Sequence, residues 1–286
     1  MISGVMEAIT YLVLFTITAG AGLTNQINKH AVTTLSAVGH PYLAPGVADR
    51  ADYVLRLELY DSEPNEIYDE DEWFDDHSLP FPEPAVKPNE TRAPLQTKYG
   101  QLCFLRNTAK WIVAVYETKY SRARSVGMHD TAYTYTLVAL EKSDTGTTVS
   151  AVYDMSELFP NIHKLCWLNV TADYVYFNAA YNDFAELTND STGYLYCLDI
   201  SNSTIVWATK NLVSSYYGFT ICDDYILTGY GFTNEDDFLY VVDRYTGEIV
   251  QTIPIKTAHE HIIVRGRFCF VRTYNTNYIF SIVKAK

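Results

Sequence analysis

The chain has 286 residues, 48% apolar and 19% charged. That is the composition of a folded globular protein and excludes a disordered one. A net charge of −13 argues against a general nucleic-acid binder, whose phosphate contacts need Lys and Arg, and disfavours attraction to anionic lipid. The 24 tyrosines and 13 phenylalanines suit half-buried pleated surfaces, so the class expected is all-β.

The N-terminal run from Ala8 to Leu23 carries no charge. It is shorter than the about 20 residues of a membrane span. It suits the apolar core of a signal peptide, with Ala19-Gly20-Ala21-Gly22 near a cleavage point. Glu7 stands where a positive flank is expected. Residues 1–24 therefore read as a signal or apolar N-terminal segment of an exported or extracellular chain. The alternative is a cytoplasmic chain that begins with a buried strand or hairpin. No membrane association is expected beyond this segment. Asn-X-Ser/Thr triplets at Asn89, Asn169, Asn189 and Asn202 are glycan acceptors if the chain is exported. The last two fall in predicted turns.

Residues 25–286 read as one propeller-like domain interrupted at 61–97. Asp61 to Asp76 holds nine acids and no base, and six of the ten prolines lie within the interruption. Like charges repel and proline removes ladder donors, so an extended insertion is expected rather than a strand. A solvated loop is the simpler reading. Trp73 and Phe74 inside the acidic run are candidate anchors for a partner's groove. No central glycine follows Asp69-Glu70-Asp71-Glu72, as a calcium loop requires.

The C-terminal hundred residues repeat. Gly193-Tyr194-Leu195-Tyr196-Cys197-Leu198-Asp199, then Ile205-Val206-Trp207, recurs 44 residues later as Asp237-Phe238-Leu239-Tyr240-Val241-Val242-Asp243, then Ile249-Val250-Gln251. A strand ending in Asp, a short turn and a second apolar strand is the unit of a propeller blade. Weaker copies lie upstream. Val170 to Phe177 resembles Ile221 to Thr228, and Gly46 to Leu55 has the same shape. Tyr135 to Leu140 with a Thr145-Gly146 turn resembles the later hairpins. About four units of PQQ-like or WD40-like blades are expected, with rough spans 40–107, 108–180, 181–230 and 231–286. They form a small or incomplete ring, the latter completed by another chain, or a piece of a larger propeller.

Five cysteines, Cys103, Cys166, Cys197, Cys222 and Cys269, form no CxxC pair, which removes the zinc-ribbon and thioredoxin readings. They read as small apolar residues inside strands. His259-Glu260-His261 is the sharpest local cluster. On a regular strand positions i and i+2 share a face, so His259 and His261 are candidate zinc ligands, with a third still required. No Gly-x-Ser-x-Gly, HExxH or phosphate-loop pattern is present, and no catalytic residue is assigned. The loops Tyr216-Tyr217-Gly218-Phe219 and Tyr230-Gly231-Phe232 are candidate binding rims, because aromatics supply rigid contact area. Packing between blades is the equal alternative.

The two C-terminal repeats resemble the quinoprotein-alcohol-dehydrogenase-like (PQQ-like) propeller family, clearest over residues 193–282. Asp199 and Trp207 keep that family's Asp-to-Trp spacing, with Asn202-Ser203-Thr204 in place of its Thr-Gly-Lys. Asp243 is followed by Thr246-Gly247-Glu248, and Gln251 replaces the Trp. The resemblance implies the fold. Its enzymes need adjacent cysteines and a metal site with the quinone, and this chain has no adjacent cysteines, so no cofactor is expected. Members without cofactor commonly serve as scaffolds, assembly factors or binding modules. The function expected is a non-enzymatic scaffold that binds a protein or peptide. The alternatives are an enzyme with a metal or carbohydrate site at the propeller axis, or a divergent fragment of a larger propeller.

Overall fold

The computed structural model describes residues 22–36, 52–65, 70–80, 84–86, 93–123, 129–158, 164–181, 185–188, 190–232 and 234–285. The apolar N-terminal run before Gly22, Asn89, Asn189 and most of Gly46 to Leu55 lie outside the described residues. In chain order the elements are α1 (22–29), β1 (Val32–Thr34), β2 (Val54–Pro64), α2 (Glu70–Asp76), β3 (Gln96–Thr97), β4 (Gly100–Asn107), β5 (Trp111–Ala123), β6 (His129–Ser143) and β7 (Gly146–Asp154). Then come β8 (Lys164–Thr171), β9 (Tyr174–Ala180), β10 (Tyr194–Asp199), β11 (Thr204–Ala208), β12 (Thr220–Cys222) and β13 (Tyr225–Tyr230). The last are β14 (Phe238–Asp243), β15 (Ile249–Pro254), β16 (His259–Arg265), β17 (Phe268–Thr273) and β18 (Thr276–Ala285).

The strands form one six-stranded sheet, β1-β7-β6-β5-β4-β3, and three four-stranded sheets, β11-β10-β9-β8, β12-β13-β14-β15 and β16-β17-β18-β2. Meandering four-stranded sheets met in succession are propeller blades. The fold is all-β and of the propeller type. The chain divides into two compact units. Among the described residues the first holds those within 22–36, 84–158 and 170–173, and the second holds the others.

In the first unit, β5 and β6 pair without a break from Trp111↔Glu141 to Ala123↔His129. Ile112 to Tyr116 are all buried, so the middle of β5 is covered on both faces. One face forms a core of Leu102, Leu105, Ile112, Ala114, Tyr116, Val138 and Leu140, into which α1 sets Ile27, with Leu23 packed at its edge.

In the second unit the two-residue strand period decides the packing. On β13 and β14, Tyr225, Leu227, Leu239 and Val241 point to one core, with Leu55, Val271 and Phe280 of the sheet containing β17. Ile226, Tyr240 and Val242 point to the other, with Leu195, Cys197 and Trp207 of the sheet containing β10. This middle sheet is therefore apolar on both faces and packs between its neighbours.

The repeat motif closes these turns and joins the blades. Asp243 Oδ1 accepts from the backbone N–H groups of Tyr245 (2.9 Å) and Thr246 (3.1 Å). Gly247 follows at φ +73°, and a Cβ there would lie 2.7 Å from the Trp207 ring. Trp207 thus seats its indole on the next blade's turn and donates Nε1–H to Arg244 O at 3.0 Å. Where the next repeat has Gln251 in place of Trp, the amide bonds the β2 backbone instead: Leu57 N–H donates to Oε1 (2.8 Å) and Nε2 donates to Leu57 O (2.9 Å). β2 itself completes the last sheet by pairing with β18, from Val54↔Ala285 to Pro64↔Thr276. Residues more than 200 positions apart are tied by that pairing.

Three expectations need correction. The repeat copies at 193–207 and 237–251 fall on β10–β11 and β14–β15, the outer pair of each sheet. Sheet boundaries therefore lie about half a blade from the spans expected. The inner pairs β8–β9 and β12–β13 carry the weaker resemblance. Their tight turns place Ala172 and Asp223 alike at φ +52°.

The acidic interruption is not extended throughout. Asp61 to Pro64 belong to β2, and Glu70–Asp76 is a helix whose first turn is Glu70, Asp71 and Glu72. Acids are favourable at a helix N-terminus. Trp73 (4% exposed) and Phe74 (1%) are buried against Phe270, Phe268, Ile263 and Ile279. They are not exposed docking anchors, because α2 lies against this apolar sheet face and both rings pack into it. The acids of β2 stay on its exposed edge, where charge discourages pairing with another strand. All five thiols are free, and each cysteine lies within a strand.

Two substitutions test this packing. Gly247→Ala should cost about 3 kcal/mol, from a non-glycine residue at positive φ and displacement of the indole. Trp73→Ala should cost about 3–5 kcal/mol by emptying the space beneath α2. Both are read from urea unfolding midpoints. A wild-type midpoint for either would contradict the packing described.

Candidate functional site

Where β13 ends and β12 and β14 begin, the loops of the second unit enclose a cleft of about 530 Å³. Its walls come from the segment before β12 (Ser215, Tyr216, Tyr217), the β13–β14 connection (Gly231, Phe232, Asn234, Glu235, Asp237), the start of β16 with the residues before it, and the β17–β18 turn. Of the aromatic residues singled out by sequence, Tyr216, Tyr217, Tyr230 and Phe232 line it. Phe219 does not. It is 3% exposed and packs in the core between two sheets.

The rim is held from below by polar groups. Asn178, wholly buried, sets its amide nitrogen 3.0 Å from Ser214 Oγ and 2.9 Å from both Ser215 O and Tyr217 O. Its two hydrogens serve these three acceptors. Ser214 Oγ also accepts from Thr228 Oγ1 at 2.8 Å, and Ser215 N–H donates to Gly229 O at 2.8 Å. Loop 214–217 is thereby fixed to β9 and β13.

His259 is the second prop. Its Nε2 lies 2.9 Å from Gly218 O, a group that only accepts, so Nε2 carries the proton. The ring fills the space beside Gly229, where a Cβ would lie 2.7 Å from Nδ1. It also meets the Tyr217 ring edge-on with centroids 5.9 Å apart. Burial pushes its pKa down to about 4, the Gly218 hydrogen bond opposing and His261 reinforcing the shift.

The expectation that His259 and His261 share a zinc ion fails. The β16–β17 register shifts between His259↔Thr273 and His261↔Arg272. This bulge at Glu260 breaks the period-two alternation. His259 turns toward the cleft loops. His261 stacks on Trp73 (6.1 Å between centroids) and bonds Glu70 Oε1 at 2.6 Å. Among the described residues no three His, Cys, Asp or Glu side chains form a metal-binding group.

The charged residues of the cleft were not singled out by sequence. Glu235 is engaged on both oxygens: Tyr230 Oη–H donates to Oε2 (2.8 Å) and Ala185 N–H to Oε1 (2.7 Å). Asp237 Oδ1 is buried and has no hydrogen-bond partner among the described residues. It occupies the space over Gly231, where a Cβ would lie 1.8 Å away. Burial, then the charges of Asp236 and Glu235, push the Asp237 pKa up to about 6, against a lowering hydrogen bond from Ala258 N–H. The run Asn234-Glu235-Asp236-Asp237 beside Phe232 was the available signal. Asn178 offered none, since a lone Asn on a strand looks like any other.

These two groups drive stability in opposite directions with pH. His259 has a folded pKa below its unfolded 6.5. Its contribution is present above pH 6.5 and is lost, by up to about 3 kcal/mol, as pH falls toward 4. Asp237 has a folded pKa above its unfolded 3.8. Its contribution is present below pH 3.8 and is lost as pH rises through 6. Asp237→Asn should therefore raise stability near neutral pH by about 1 kcal/mol, after allowance for solvent screening, and change little below about pH 4. Urea unfolding of wild type and Asp237→Asn across this range measures both. A variant less stable at neutral pH would contradict the buried-charge account.

No family model and no curated protein matches the sequence. Among solved structures the chain is similar to BamB from Moraxella catarrhalis, at 10% identity over 62% of this chain and 71% of that one, TM-score 0.32. It is similar to the computationally designed protein Ika8, at 10% identity over 63% of this chain and 58% of that one, TM-score 0.33. A chain of a mitotic checkpoint complex matches at 8% identity over 63% of each chain, TM-score 0.36. The chain thus spans less than two thirds of the latter two. These are loose likenesses of strand arrangement, and they assign neither a family nor an activity.

Proposed function

We propose that this chain is a propeller-type binding module whose aromatic cleft takes a segment of a protein or peptide partner. The observation that carries the reading is the rim of Tyr216, Tyr217, Tyr230 and Phe232 around about 530 Å³ of open space, held by buried Asn178 and His259. The volume is within the range of ligand sites, about 300–1,000 Å³. Tyr and Phe bring large contact area at low entropic cost, and a rim already fixed by hydrogen bonds loses little further freedom on binding. Of these four rim residues Tyr217, 40% exposed, is the one best presented to a partner.

Export is part of the proposal. Its support is the uncharged N-terminal run, and its test is Asn202, exposed in the β10–β11 turn with its amide Nδ2 2.8 Å from Asp199 Oδ2 and followed by Ser203-Thr204. Asn169 is half-buried, with its amide 3.4 Å from Phe219 O, and makes a poor acceptor. Expression in a glycosylating secretory host should add a glycan at Asn202, detected as a mass shift that Asn202→Gln removes. A secreted, unmodified Asn202 would count against export.

The cleft is tested by panning a random peptide library displayed on phage against the full chain. Selected peptides should lose about tenfold or more in affinity with Tyr217→Ala, as an interface hot spot does. They should be unaffected by Tyr120→Ala, an exposed tyrosine on β5. Failure to enrich any peptide, or equal binding by the Tyr217→Ala protein, would reject the reading.

A further inference from the structure

We infer that the occupant of this cleft is a basic peptide segment that sets an arginine side chain between the tyrosines and against Asp237, and runs on into a second acidic cleft beside it. This rests on the peptide-binding reading above and adds the chemistry of the ligand.

The second cleft, of about 720 Å³, lies on the other side of the β13–β14 connection. Tyr230, Asn234 and Glu235 belong to both walls. The Tyr230–Glu235 hydrogen bond of 2.8 Å thus belongs to the wall the two clefts share. Across the two clefts the walls carry six carboxylates, Glu186, Asp190, Glu235, Asp236, Asp237 and Glu260, and two ammonium groups, Lys210 and Lys256. A groove with that excess of one sign concentrates ligands of the other. Glu235 has both oxygens engaged within the protein, and Glu260 Oε2 lies 3.7 Å from Arg272 Nε.

Asp237 differs. One oxygen is buried without a donor, and glycine at 231 leaves its carboxylate room that any side chain would fill. That oxygen is closed to solvent and so to a ligand, but the rest of the partly buried side chain lines the cleft, and a carboxylate left one hydrogen bond short is stabilised by a cation placed against its open side. Arginine fits better than lysine. Its planar guanidinium bonds a carboxylate while lying on an aromatic face, and it is the more weakly hydrated cation. Tyr216, Tyr217 and Phe232 supply such faces in the same cleft.

The test is fluorescence anisotropy of a fluorescein-labelled alternating Ala-Arg octapeptide with the full chain, near neutral pH and at moderate salt. Saturable binding is expected, weakened about tenfold by Asp237→Asn, the value of one charge-assisted contact. The Asp237→Asn protein is expected to fold at least as well as wild type, so its loss reports on binding. The matching Ala-Lys peptide should bind a few-fold more weakly, and Ala-Gln and Ala-Glu peptides should not bind. Glu186→Gln with Asp236→Asn should weaken the octapeptide and leave a three-residue Ala-Arg-Ala probe unchanged. Asp144→Asn, an exposed acid in the β6–β7 turn, should change nothing.

Equal loss with Asp144→Asn would mean that net charge alone attracts the peptide, and would overturn the inference. So would equal binding of the Ala-Gln peptide, or no effect of Asp237→Asn. Phage-selected peptides that depend on Tyr217 but carry no basic residue would overturn the inference and leave the binding reading intact. Absence of any selected peptide would remove both.

Discussion

The second unit depends on one contact geometry, the seating of each blade on the next through both faces of the middle sheet. Alternate residues of β13 and β14 feed two different cores, so neither neighbour can leave without exposing a row of apolar side chains. Apolar burial at about 25 cal/mol per Å² makes that row the largest favourable contribution. The Asp-closed turn then sets the register between blades. Asp243 fixes the turn, Gly247 brings its backbone close, and Trp207 of the preceding blade rests on it. At the following junction Gln251 replaces ring stacking with two hydrogen bonds to Leu57. A directional pair suits that junction because its partner is a strand backbone rather than a glycine turn.

The cleft follows from this arrangement. Consecutive antiparallel sheets bring their connecting loops to the same end, and those loops are freed from ladder pairing. They carry Tyr216, Tyr217 and Phe232, because loops are where side chains can project without belonging to a core, while Tyr230 reaches the cleft from the end of β13. What fixes these loops in place is the buried polar support. Asn178 and His259 each satisfy backbone carbonyls of the 214–218 loop, groups that would otherwise be costly to bury. His259 remains neutral at physiological pH because a charged imidazole there would lack solvent. The histidine that looked like a metal ligand is a strut, and its pair on the next face is a different strut, holding α2.

The acidic character of the chain also divides by location. The carboxylates of β2 and the first turn of α2 are solvated or aligned with a helix end, which makes them cheap to keep. Asp237 is not, since burial and two neighbouring acids oppose its ionisation. A carboxylate held at a cost in a loop beside an open volume is the pattern expected of a functional group. The same residue is therefore the weak point of the local electrostatics and the anchor in the inference proposed above.

Local signals in the sequence determined the strand class, the Asp-turn repeat and the tyrosine-rich loops, because strand alternation, turn chemistry and aromatic content act over a few residues. Four of the loop aromatics, Tyr216, Tyr217, Tyr230 and Phe232, line one cleft, which their sequence alone left undecided against packing between blades. Tertiary structure alone decided the rest. A bulge at Glu260 separated His259 from His261, and that register depends on pairing with Thr273 and Arg272 rather than on the His-Glu-His triplet itself. Burial of Trp73 and Phe74 depended on an apolar sheet face made by residues almost 200 positions later. The roles of Asn178 and Asp237 came from what surrounds each in space. Desolvation and hydrogen-bond supply are properties of a neighbourhood, and a linear sequence does not say who the neighbours are.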